Sequence, residues 1–429
     1  MPRLKPFQTR RFPQRLVQWL LPLTLTLVLV IGGPGCAQTT ACAFGQSTVD
    51  TALALPPGTV HETVLMESWQ AYRQRFIQAD GRVIDREDSD RTVSEGQAYA
   101  MLRAVAINDP ATFERTYTWA NNNLARQDDD DQPLDRLWAW KWGQRQDGSW
   151  GTLDANFALD ADIDAATALI LAAQRWNCPA YLDAARATLD DVWAAGTVEL
   201  PNGTRQLLPG PAAAFWPEPD QLILNPSYFA PASLRLFAQI DSTHDWQRLI
   251  DNGYTFLNDL SAISATGLPP DWIIYDPTTA TYRQLPLDYP LQSRYSFDAM
   301  RVWWRIALDA AWFTDPRADA YLEARLPILI DRWQRDGRLP ARLTLAGDAQ
   351  SSYEATAHYA MLYPALQRVD PPVAAAMYSQ KIQPTYRDGF WDSDTAYYTQ
   401  NLVWLGLLPP QAAPQSVLES SSQEPGVSR

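Results

Sequence analysis

The stretch Thr92-Val93-Ser94-Glu95-Gly96-Gln97-Ala98-Tyr99 predicts the beginning of a buried helix with an acid at its mouth. Ser94 and Gln97 have the spacing of a capping box, which indicates a helix start at this point. Glu95 would then lie in the first turn, and residues 98–107 that follow are too apolar for a surface helix. Glu95 is therefore a candidate for acid–base chemistry, and a first-turn acid that complements the helix dipole is the alternative. Because a helix N-terminus favours the ionised carboxylate, a general acid here requires burial or a neighbouring carboxylate to raise its pKa.

Beyond this helix, apolar residues spaced 3.6 positions apart and prolines at helix starts predict helices along most of the chain. The predicted helices span residues 61–77, 95–107, 110–125, 161–176, 179–195, 231–240, 245–261, 298–312, 316–335, 351–367, 372–381 and 397–407. Alternating strand patterns are confined to short pieces near 197–208 and 272–285.

Twelve helices in one compact unit predict an all-α fold of six helical hairpins closed into a ring. The inner helices of such a ring are covered on all sides and should be apolar all round. Segments 95–107 and 161–173 have this character, whereas 61–77 and 316–335 are amphipathic, as outer helices should be. The loops before the inner helices would gather at one end, and loops on a rigid scaffold commonly carry the chemistry.

A second acidic segment is Ala158-Leu159-Asp160-Ala161-Asp162-Ile163-Asp164-Ala165-Ala166, which opens the helix that runs to residue 176. It departs from a calcium loop of the EF-hand type, because Ala165 replaces the turn glycine and Leu171 replaces the closing glutamate. The structural alternative is N-capping by Asp160 with further acids in the first turn. Asp160, at the cap, is the acid that we expect to face a cleft.

A third acid, Asp298, lies in Arg294-Tyr295-Ser296-Phe297-Asp298-Ala299-Met300-Arg301-Val302-Trp303-Trp304, at a predicted helix start. Arg301 follows one turn later. The pair is either a first-turn ion pair of little energetic weight or a catalytic base that Arg301 holds ionised.

Aromatic residues are abundant, with 18 tryptophans and 18 tyrosines. Their flat faces stack on sugar rings, although most such rings fill helix interfaces. Two aromatic loops, at 137–142 and 225–229, precede predicted inner helices, and a third aromatic segment, 397–401, opens the last helix. Together they indicate a sugar-binding groove. The net charge of -14 argues against nucleic acid and anionic membranes as partners. The three histidines lack zinc-type spacing, and we expect no metal and no organic cofactor.

Residues 1–36 predict an export signal or signal anchor, because a basic segment precedes an apolar run too short to favour a membrane-spanning helix. Residues 37–60 predict a linker and residues 409–429 a disordered tail, so the compact domain would span 61–408. We expect an exported monomer, periplasmic or secreted, with anchoring through the N-terminus or lipidation of Cys36 as alternatives. Cys42 and Cys178 remain after cleavage and allow one disulfide at most.

The chain resembles glycoside hydrolase family 8, especially the bacterial endoglucanases associated with cellulose synthesis. The motifs that carry the resemblance are 92–96, 160–162 and 295–301, with support from 225–228 and 397–398. The resemblance spans about residues 63–408, and it departs from the family pattern at Leu159, where Thr or Ser is usual, and at Ala161, where Gly is frequent.

This resemblance implies an (α/α)6 barrel that inverts the anomeric centre of its substrate. Glu95 would be the general acid and Asp298 the general base, and Asp160 would bind and help distort the sugar at the cleavage site. The residues implied to line the groove are Trp140, Tyr228 and Arg301. Inversion requires the acid and the base to lie roughly 6.5–9.5 Å apart, so that a water fits between base and sugar. Asp160 between them would raise the pKa of Glu95 by repulsion of like charges.

The function implied is an endo-β-1,4-glucanase, or cellulase, that acts on cellulose-like β-glucan beside a cellulose synthase. A chitosanase or a xylanase on the same scaffold is an alternative, because the carboxylates do not distinguish these substrates. A non-catalytic glucan-binding subunit of an export complex is a second alternative. The presence of both Glu95 and Asp298 argues against that subunit.

Overall fold

The computed structural model describes residue 42, residues 51–128, residue 130 and residues 132–410. Within these ranges no helix combines the length and the hydropathy that a membrane crossing requires. The predicted export signal, 1–36, and residues 411–429 of the predicted tail lie outside the described residues.

Helices dominate the described part of the chain. In order, the α-helices are α1 Glu62–Phe76, α2 Ser94–Ile107, α3 Pro110–Asn123, α4 Leu159–Trp176, α5 Pro179–Gly196, α6 Ala212–Phe215, α7 Pro231–Ile240, α8 Trp246–Ile263, α9 Arg301–Phe313, α10 Pro316–Arg325, α11 Pro327–Asp336, α12 Thr356–Val369, α13 Pro371–Met377 and α14 Tyr397–Leu407. Short 3-10 turns at Pro226–Tyr228 and Gln383–Thr385, and a π-helical turn at Tyr378–Ile382, complete the helical segments.

Six helices form a closed inner ring. Helix α2 packs on α4, α4 on α7, α7 on α9, α9 on α12, α12 on α14, and α14 returns to α2. The outer helices α1, α3, α5, α8, α10 and α13 each pack mainly on one inner helix, and α10 also contacts α12. Because outer and inner helices alternate along the chain, the inner helices run parallel and their N-termini lie at one end. The expected (α/α)6 barrel of six helical hairpins is confirmed.

Burial separates the two rings in the way that the sequence pattern predicts. In α2 every residue is buried except Glu95 and Ile107. In α1, by contrast, the buried residues recur with a spacing of three or four and face the inner ring: Leu65, Ser68, Trp69, Tyr72 and Phe76. An inner helix therefore has no face that is exposed to solvent. A polar side chain on it has to form its hydrogen bonds with other groups of the protein.

Several helix boundaries differ from the prediction. The helix expected over 298–312 begins at Arg301, so that Asp298 lies in the turn before it. The helix expected from residue 351 begins at Thr356. The helix expected over 316–335 is divided into α10 and α11, because Pro327 has no amide hydrogen with which to continue the hydrogen-bond ladder.

Short strands lie in the loops between the helices. They are β1 Thr92–Val93, β2 Ala125–Gln127, β3 Pro133–Gln144, β4 Trp150–Phe157, β5 Thr197–Glu199, β6 Arg205–Leu207, β7 Leu222–Leu224, β8 Ile273–Asp276, β9 Thr281–Arg283, β10 Tyr386–Arg387 and β11 Phe390–Trp391. The strand pieces expected near 197–208 and 272–285 are β5–β6 and β8–β9.

The aromatic segment 137–142, predicted as a loop, is instead part of the hairpin that β3 forms with β4. This strand also pairs with β1, with Trp142 opposite Thr92 and Lys141 opposite Val93. Its register against β4 shifts between Ala139 and Lys141 and again before Trp142. Such bulges interrupt the period of two by which a strand is recognised in a sequence.

Residues 51–54 of the predicted linker 37–60 are instead packed into the barrel. Ala52, Leu53 and Ala54 are buried in the barrel, and the Leu55 amide donates a 3.0 Å hydrogen bond to the carbonyl of Ala106. Cys42 is joined to Cys178 at the start of α5, which is the one disulfide that the sequence allows. Small apolar residues without helical or strand periodicity can thus pack against a barrel as an irregular segment.

Candidate active site

One buried guanidinium gathers three acids at the N-terminal end of the inner ring. Arg301, with 2% of its side chain exposed, donates from one terminal nitrogen to Glu95 Oε1 at 2.5 Å and to Asp160 Oδ2 at 2.7 Å. Its other terminal nitrogen donates to Asp298 Oδ1 at 2.9 Å. The acids come from the first turns of α2 and α4 and from the turn before α9. The fold therefore brings together four residues that the sequence singled out.

The shared guanidinium limits how far apart the flanking acids can be. Since Glu95 and Asp298 bind its two adjacent terminal nitrogens, the two bonded oxygens lie within roughly 8 Å of each other. The exposed fraction is 18% for the Glu95 side chain and 31% for Asp298, but only 4% for Asp160 between them. The outer two carboxyls therefore reach solvent, and the central one does not.

Glu95 lies in the first turn of α2, where the hydroxyl of Tyr99 donates a 3.0 Å hydrogen bond to Oε1. Burial raises the pKa of Glu95 to about 7, against the opposing effect of Arg301. Repulsion from Asp160 raises this pKa further, but contributes less than burial. Desolvation thus outweighs both the guanidinium and the helix N-terminus, and the carboxyl retains its proton to near neutral pH.

The predicted capping box at this helix is wrong. The residue before the helix, Val93, offers no side-chain cap, and the hydroxyl of Ser94 is buried without a hydrogen-bond partner among the described residues. The side chain of Gln97 instead accepts from the Val83 amide at 2.6 Å and donates to the Thr116 carbonyl at 2.9 Å. Gln97 therefore fastens the loop before α2 to α3, and it does not reach back to the helix start.

Asp160 is not the N-cap of its helix, because α4 begins at Leu159 and the residue before it is Ala158. Its Oδ1 accepts from the Ala161 amide at 2.9 Å, and its Oδ2 binds Arg301. The acid that we expected to face a cleft is therefore covered by the cluster itself. Asp160 is thus buried in direct contact with Arg301, with 4% of its side chain exposed.

The other two acids of the same segment point elsewhere. Asp162 accepts a 2.9 Å hydrogen bond from the amide of Trp138, and burial raises its pKa well above the usual range. Asp164 forms a bidentate ion pair with Arg305, one helical turn deeper in the ring. The alternation of three acids therefore serves three separate contacts.

Asp298 is held from two sides. Arg301 binds its Oδ1, and the indole nitrogen of Trp272 donates to Oδ2 at 3.0 Å. Burial raises the pKa of Asp298, while Arg301 lowers it and Asp160 raises it. The expected contact with Arg301 is present, but the pKa lies above the ordinary value because desolvation is the larger effect.

The two aromatic residues expected in the groove lie in different settings. Tyr228 is beside the acids, with its ring centre 5.8 Å from the Arg301 guanidinium carbon and 6.2 Å from the Trp272 ring. Trp140 is half-buried on β3, next to Lys141, which pairs with Val93 at the start of α2. No hydrogen bond or ring contact joins Trp140 to the three acids in the part of the chain that the structure describes. Its place beside the mouth of α2 follows from the strand register alone.

Several contacts at the site were not predicted from the sequence. Ser227 accepts a 3.0 Å hydrogen bond from Arg301, and Tyr398 donates to the carbonyl of Phe297 at 2.9 Å. Asp271 and Trp272 both contact the turn that carries Asp298. These contacts cross between elements that are far apart in the chain, and no local spacing signals them.

Comparison with known proteins identifies the family that this sequence matches. A family model described as glycosyl hydrolases family 8 matches residues 45–411. An endoglucanase of Pseudomonas fluorescens (strain SBW25) is 35% identical over 241 residues, which cover 55% of this chain and 58% of that protein. The match therefore spans less than two thirds of that relative. An endoglucanase of Escherichia coli (strain K12) is 31% identical over 363 residues, which cover 84% of this chain and 91% of that protein.

Solved structures agree with the barrel. An endo-1,4-D-glucanase from Vibrio fischeri ES114 superposes with a TM-score of 0.67 at 27% identity, over 79% of this chain and 93% of that chain. A cold-adapted family 8 xylanase superposes with a TM-score of 0.64 at 17% identity, over 83% of this chain and 94% of that chain. At that identity, the xylanase supports the fold alone.

Proposed function

Because the chain belongs to glycosyl hydrolase family 8, we propose that it is an endoglucanase that hydrolyses internal β-1,4 linkages of a cellulose-like glucan by inversion. One observation carries the catalytic assignment: Arg301 binds Glu95, Asp160 and Asp298 together at the end of the ring where the inner helices begin. Only the outer two acids reach solvent, which suits a linkage that lies across the cluster.

Glu95 is the proposed general acid. Three carboxyls share one guanidinium, so full ionisation would leave excess negative charge in a desolvated cluster, and retention of one proton is favoured. The raised pKa of Glu95, about 7, makes this residue the holder of that proton. From there it protonates the oxygen of the departing sugar as the glycosidic bond breaks.

Asp298 is the proposed general base. Its two oxygens are oriented by Arg301 and by Trp272, and the side chain remains partly exposed, so a water can bind the remaining lone pairs. The base removes a proton from this water as it attacks the anomeric carbon on the face opposite the leaving group. The upper bound of roughly 8 Å on this separation is compatible with inversion, which requires roughly 6.5–9.5 Å, and includes the roughly 5–5.5 Å of retaining enzymes as well, so the choice of inversion rests on the family resemblance. Asp160 would stabilise the positive charge that develops on the sugar ring.

Tyr228 and Trp140 are the proposed sugar contacts. Tyr228 lies against both Arg301 and Trp272, so a ring bound at the cleavage point would meet its hydroxyl or its face. Trp140 lies on β3 next to Lys141, which pairs with Val93 at the start of α2, and would serve the neighbouring sugar.

Substitution of the two acids tests the assignment. We expect Glu95→Gln and Asp298→Asn each to lower kcat on carboxymethylcellulose by on the order of 10³-fold, since each removes one proton-transfer group. Glu323→Gln, at an exposed position on α10, is the matched control and should keep wild-type activity. Near-normal turnover by either active-site variant would remove that residue from the mechanism.

Substrate and stereochemistry need separate measurements on the wild-type protein. Reducing-sugar release from carboxymethylcellulose, xylan and chitosan ranks the three polymers, and we expect the cellulose derivative to be cleaved fastest. Proton NMR of the first product formed should show the α-anomer. Initial formation of the β-anomer would contradict inversion while leaving the glucanase assignment intact.

We also propose that the protein is exported and acts as a monomer beside a cellulose synthase. Residues 1–36 have the composition of an export signal, and the Cys42–Cys178 disulfide suits an oxidising compartment. Mass spectrometry of the native N-terminus would show cleavage, retention or lipidation. Co-purification with the synthase from membranes, compared with a strain that lacks the synthase, would test the association.

A further inference from the structure

Asp271 accepts four hydrogen bonds from the turn that carries Asp298. Its Oδ1 accepts from the backbone amides of Ser296 at 3.0 Å, Asp298 at 3.1 Å and Ala299 at 2.8 Å. Its Oδ2 accepts from the hydroxyl of Ser296. Asp271 itself is 5% exposed. Its carboxylate therefore organises the backbone on both sides of Asp298.

The backbone hydrogen bonds within the turn, from the Met300 amide to the Ser296 carbonyl and from the Arg301 amide to the Asp298 carbonyl, do not use the three amides that Asp271 binds. Helix α9 begins at Arg301, and its N-cap residue, Met300, offers no side-chain hydrogen bond. The amides that precede a helix lack partners within it and must find them elsewhere. Asp271 satisfies three such amides at once from a segment more than twenty residues earlier in the chain.

We propose that Asp271 is a positioning residue for the general base: its hydrogen bonds fix the backbone of Asp298 so that the carboxylate points at the attacking water. The next residue, Trp272, binds the Asp298 side chain, so two consecutive residues hold the backbone and the carboxylate of the base. The inference rests on the proposed role of Asp298. A base displaced by about 1 Å can lose on the order of 10²-fold in rate, because proton transfer depends on the alignment of the reacting atoms.

A substitution can distinguish the contribution of the Asp271 charge from that of its hydrogen bonds. In an asparagine, the amide oxygen can accept from the three backbone amides, and the amide nitrogen can donate to the Ser296 hydroxyl, which is also an acceptor. Burial and the neighbouring Asp298 carboxylate raise the pKa of Asp271 to about 7, so at mildly acidic pH a neutral side chain resembles the native one. Asp271→Asn thus keeps the turn and removes the ionisable group.

A glutamate makes the opposite change. Asp271→Glu keeps the ionisable group but moves its oxygens by one methylene, which breaks the alignment with the three amides. We expect Asp271→Asn to retain kcat within about fivefold of wild type. Asp271→Glu should lose kcat on the order of 10²-fold, with a KM within about twofold of wild type, because the proposed sugar contacts, Tyr228 and Trp140, are not on this turn.

The matched control is Asp109, a second acid that receives several hydrogen bonds and caps α3 at the other end of the barrel. Asp109→Ala should lower the melting temperature and leave kcat unchanged. All variants are compared at pH 6, with thermal melts to establish that each is folded.

Two results would overturn the inference: an Asp271→Asn variant as inactive as Asp298→Asn, or a folded Asp271→Glu variant with wild-type kcat. If Asp271→Glu does not fold, the kcat of Asp271→Asn decides alone. An inactive wild-type protein on every β-1,4 glucan would instead refute the proposed function, so the two failures are distinguishable.

Discussion

At Glu95, two effects of the protein environment act on one carboxyl in opposite directions. The helix N-terminus and Arg301 favour the ionised form, and burial favours the neutral form. Burial is the largest contribution, and the pKa is raised from 4.5 to about 7. A carboxyl placed at the mouth of a helix can therefore still serve as an acid when the surrounding protein removes water from it.

The pH dependence of the reaction should report this balance. The general acid must be protonated, so we expect kcat/KM on a soluble glucan to fall as the pH rises through about 7, the pKa of Glu95. The measurement is a pH profile of kcat/KM, with circular dichroism at each pH to exclude unfolding. A profile that stays flat to pH 9 would show that another group supplies the proton.

Trp272 allows a matching test of the base. Its indole N–H lowers the pKa of Asp298, because it stabilises the ionised carboxylate. Trp272→Phe keeps the ring and removes the donor, so the pKa of Asp298 should rise and the acidic limb of the kcat/KM profile should move to higher pH.

At the optimum pH, kcat of Trp272→Phe should fall by less than about tenfold, because the base itself remains. Trp246→Phe, which likewise removes an indole donor to an acid, Asp241, but at the start of the outer helix α8, is the control. An acidic limb that moves to lower pH, or does not move, would contradict the role of the indole.

Among the elements, the start of α2 was predicted correctly, but from a capping interaction that the structure does not contain. The helix begins where the Ser94–Gln97 spacing predicts, yet neither side chain caps it. The spacing coincides with a different need: Gln97 lies on a face of α2 that meets the preceding loop and α3, and there it binds buried backbone groups.

The two residues should therefore respond differently to substitution. Ser94→Ala should change the free energy of unfolding by less than about 0.5 kcal/mol, since the hydroxyl has no partner, whereas a true N-cap would lose about 1 kcal/mol. Gln97→Leu should lower it by about 2–4 kcal/mol, because buried amide and carbonyl groups lose their partners. Urea titrations of both variants provide the measurement. Equal losses in the free energy of unfolding would support the capping box.

The β3–β4 hairpin is an element that the sequence analysis missed. Three tryptophans in the segment 137–142 suggested a binding loop, and bulges hid the strand alternation. The strand nevertheless places Trp140 beside the start of α2 through its pairing with β1. The sequence thus singled out a residue beside the start of α2 although its local structure was wrongly predicted, and its role as a sugar contact stays a prediction.

At the scale of the whole molecule, ring closure brings the catalytic candidates together. Glu95 and Arg301 are separated by 206 positions in the chain, and Asp160 and Arg301 by 141. They meet because each is at or just before the first turn of an inner helix, and inner helices that run parallel place their first turns at one end of the barrel.

The Cys42–Cys178 disulfide, which spans 136 positions, should stabilise the molecule as a whole. A crosslink that closes so long a loop restricts the unfolded chain, and its loss should cost about 3–5 kcal/mol. We expect Cys178→Ser to melt several degrees below wild type with unchanged kcat, because the bond lies at the C-terminal end of α4, away from the acids.

A reductant provides the control for this prediction. Dithiothreitol should lower the melting temperature of the wild type and leave that of Cys178→Ser unchanged. A wild-type melting temperature that is insensitive to reductant would contradict a stabilising role for the bond.

The sequence by itself determined the helical class, the alternation of inner and outer helices and the identity of the three acids. Those features are local: burial on all sides makes an inner helix apolar throughout, and a turn before a helix is marked by short acids and prolines. Only the tertiary structure decided that one guanidinium joins the three acids, that burial outweighs charge at Glu95, and that Asp271 holds the turn of Asp298. Each of these depends on distances between segments that are far apart in the chain and on how much water the closed ring excludes. The spacing of residues along the sequence gives neither quantity.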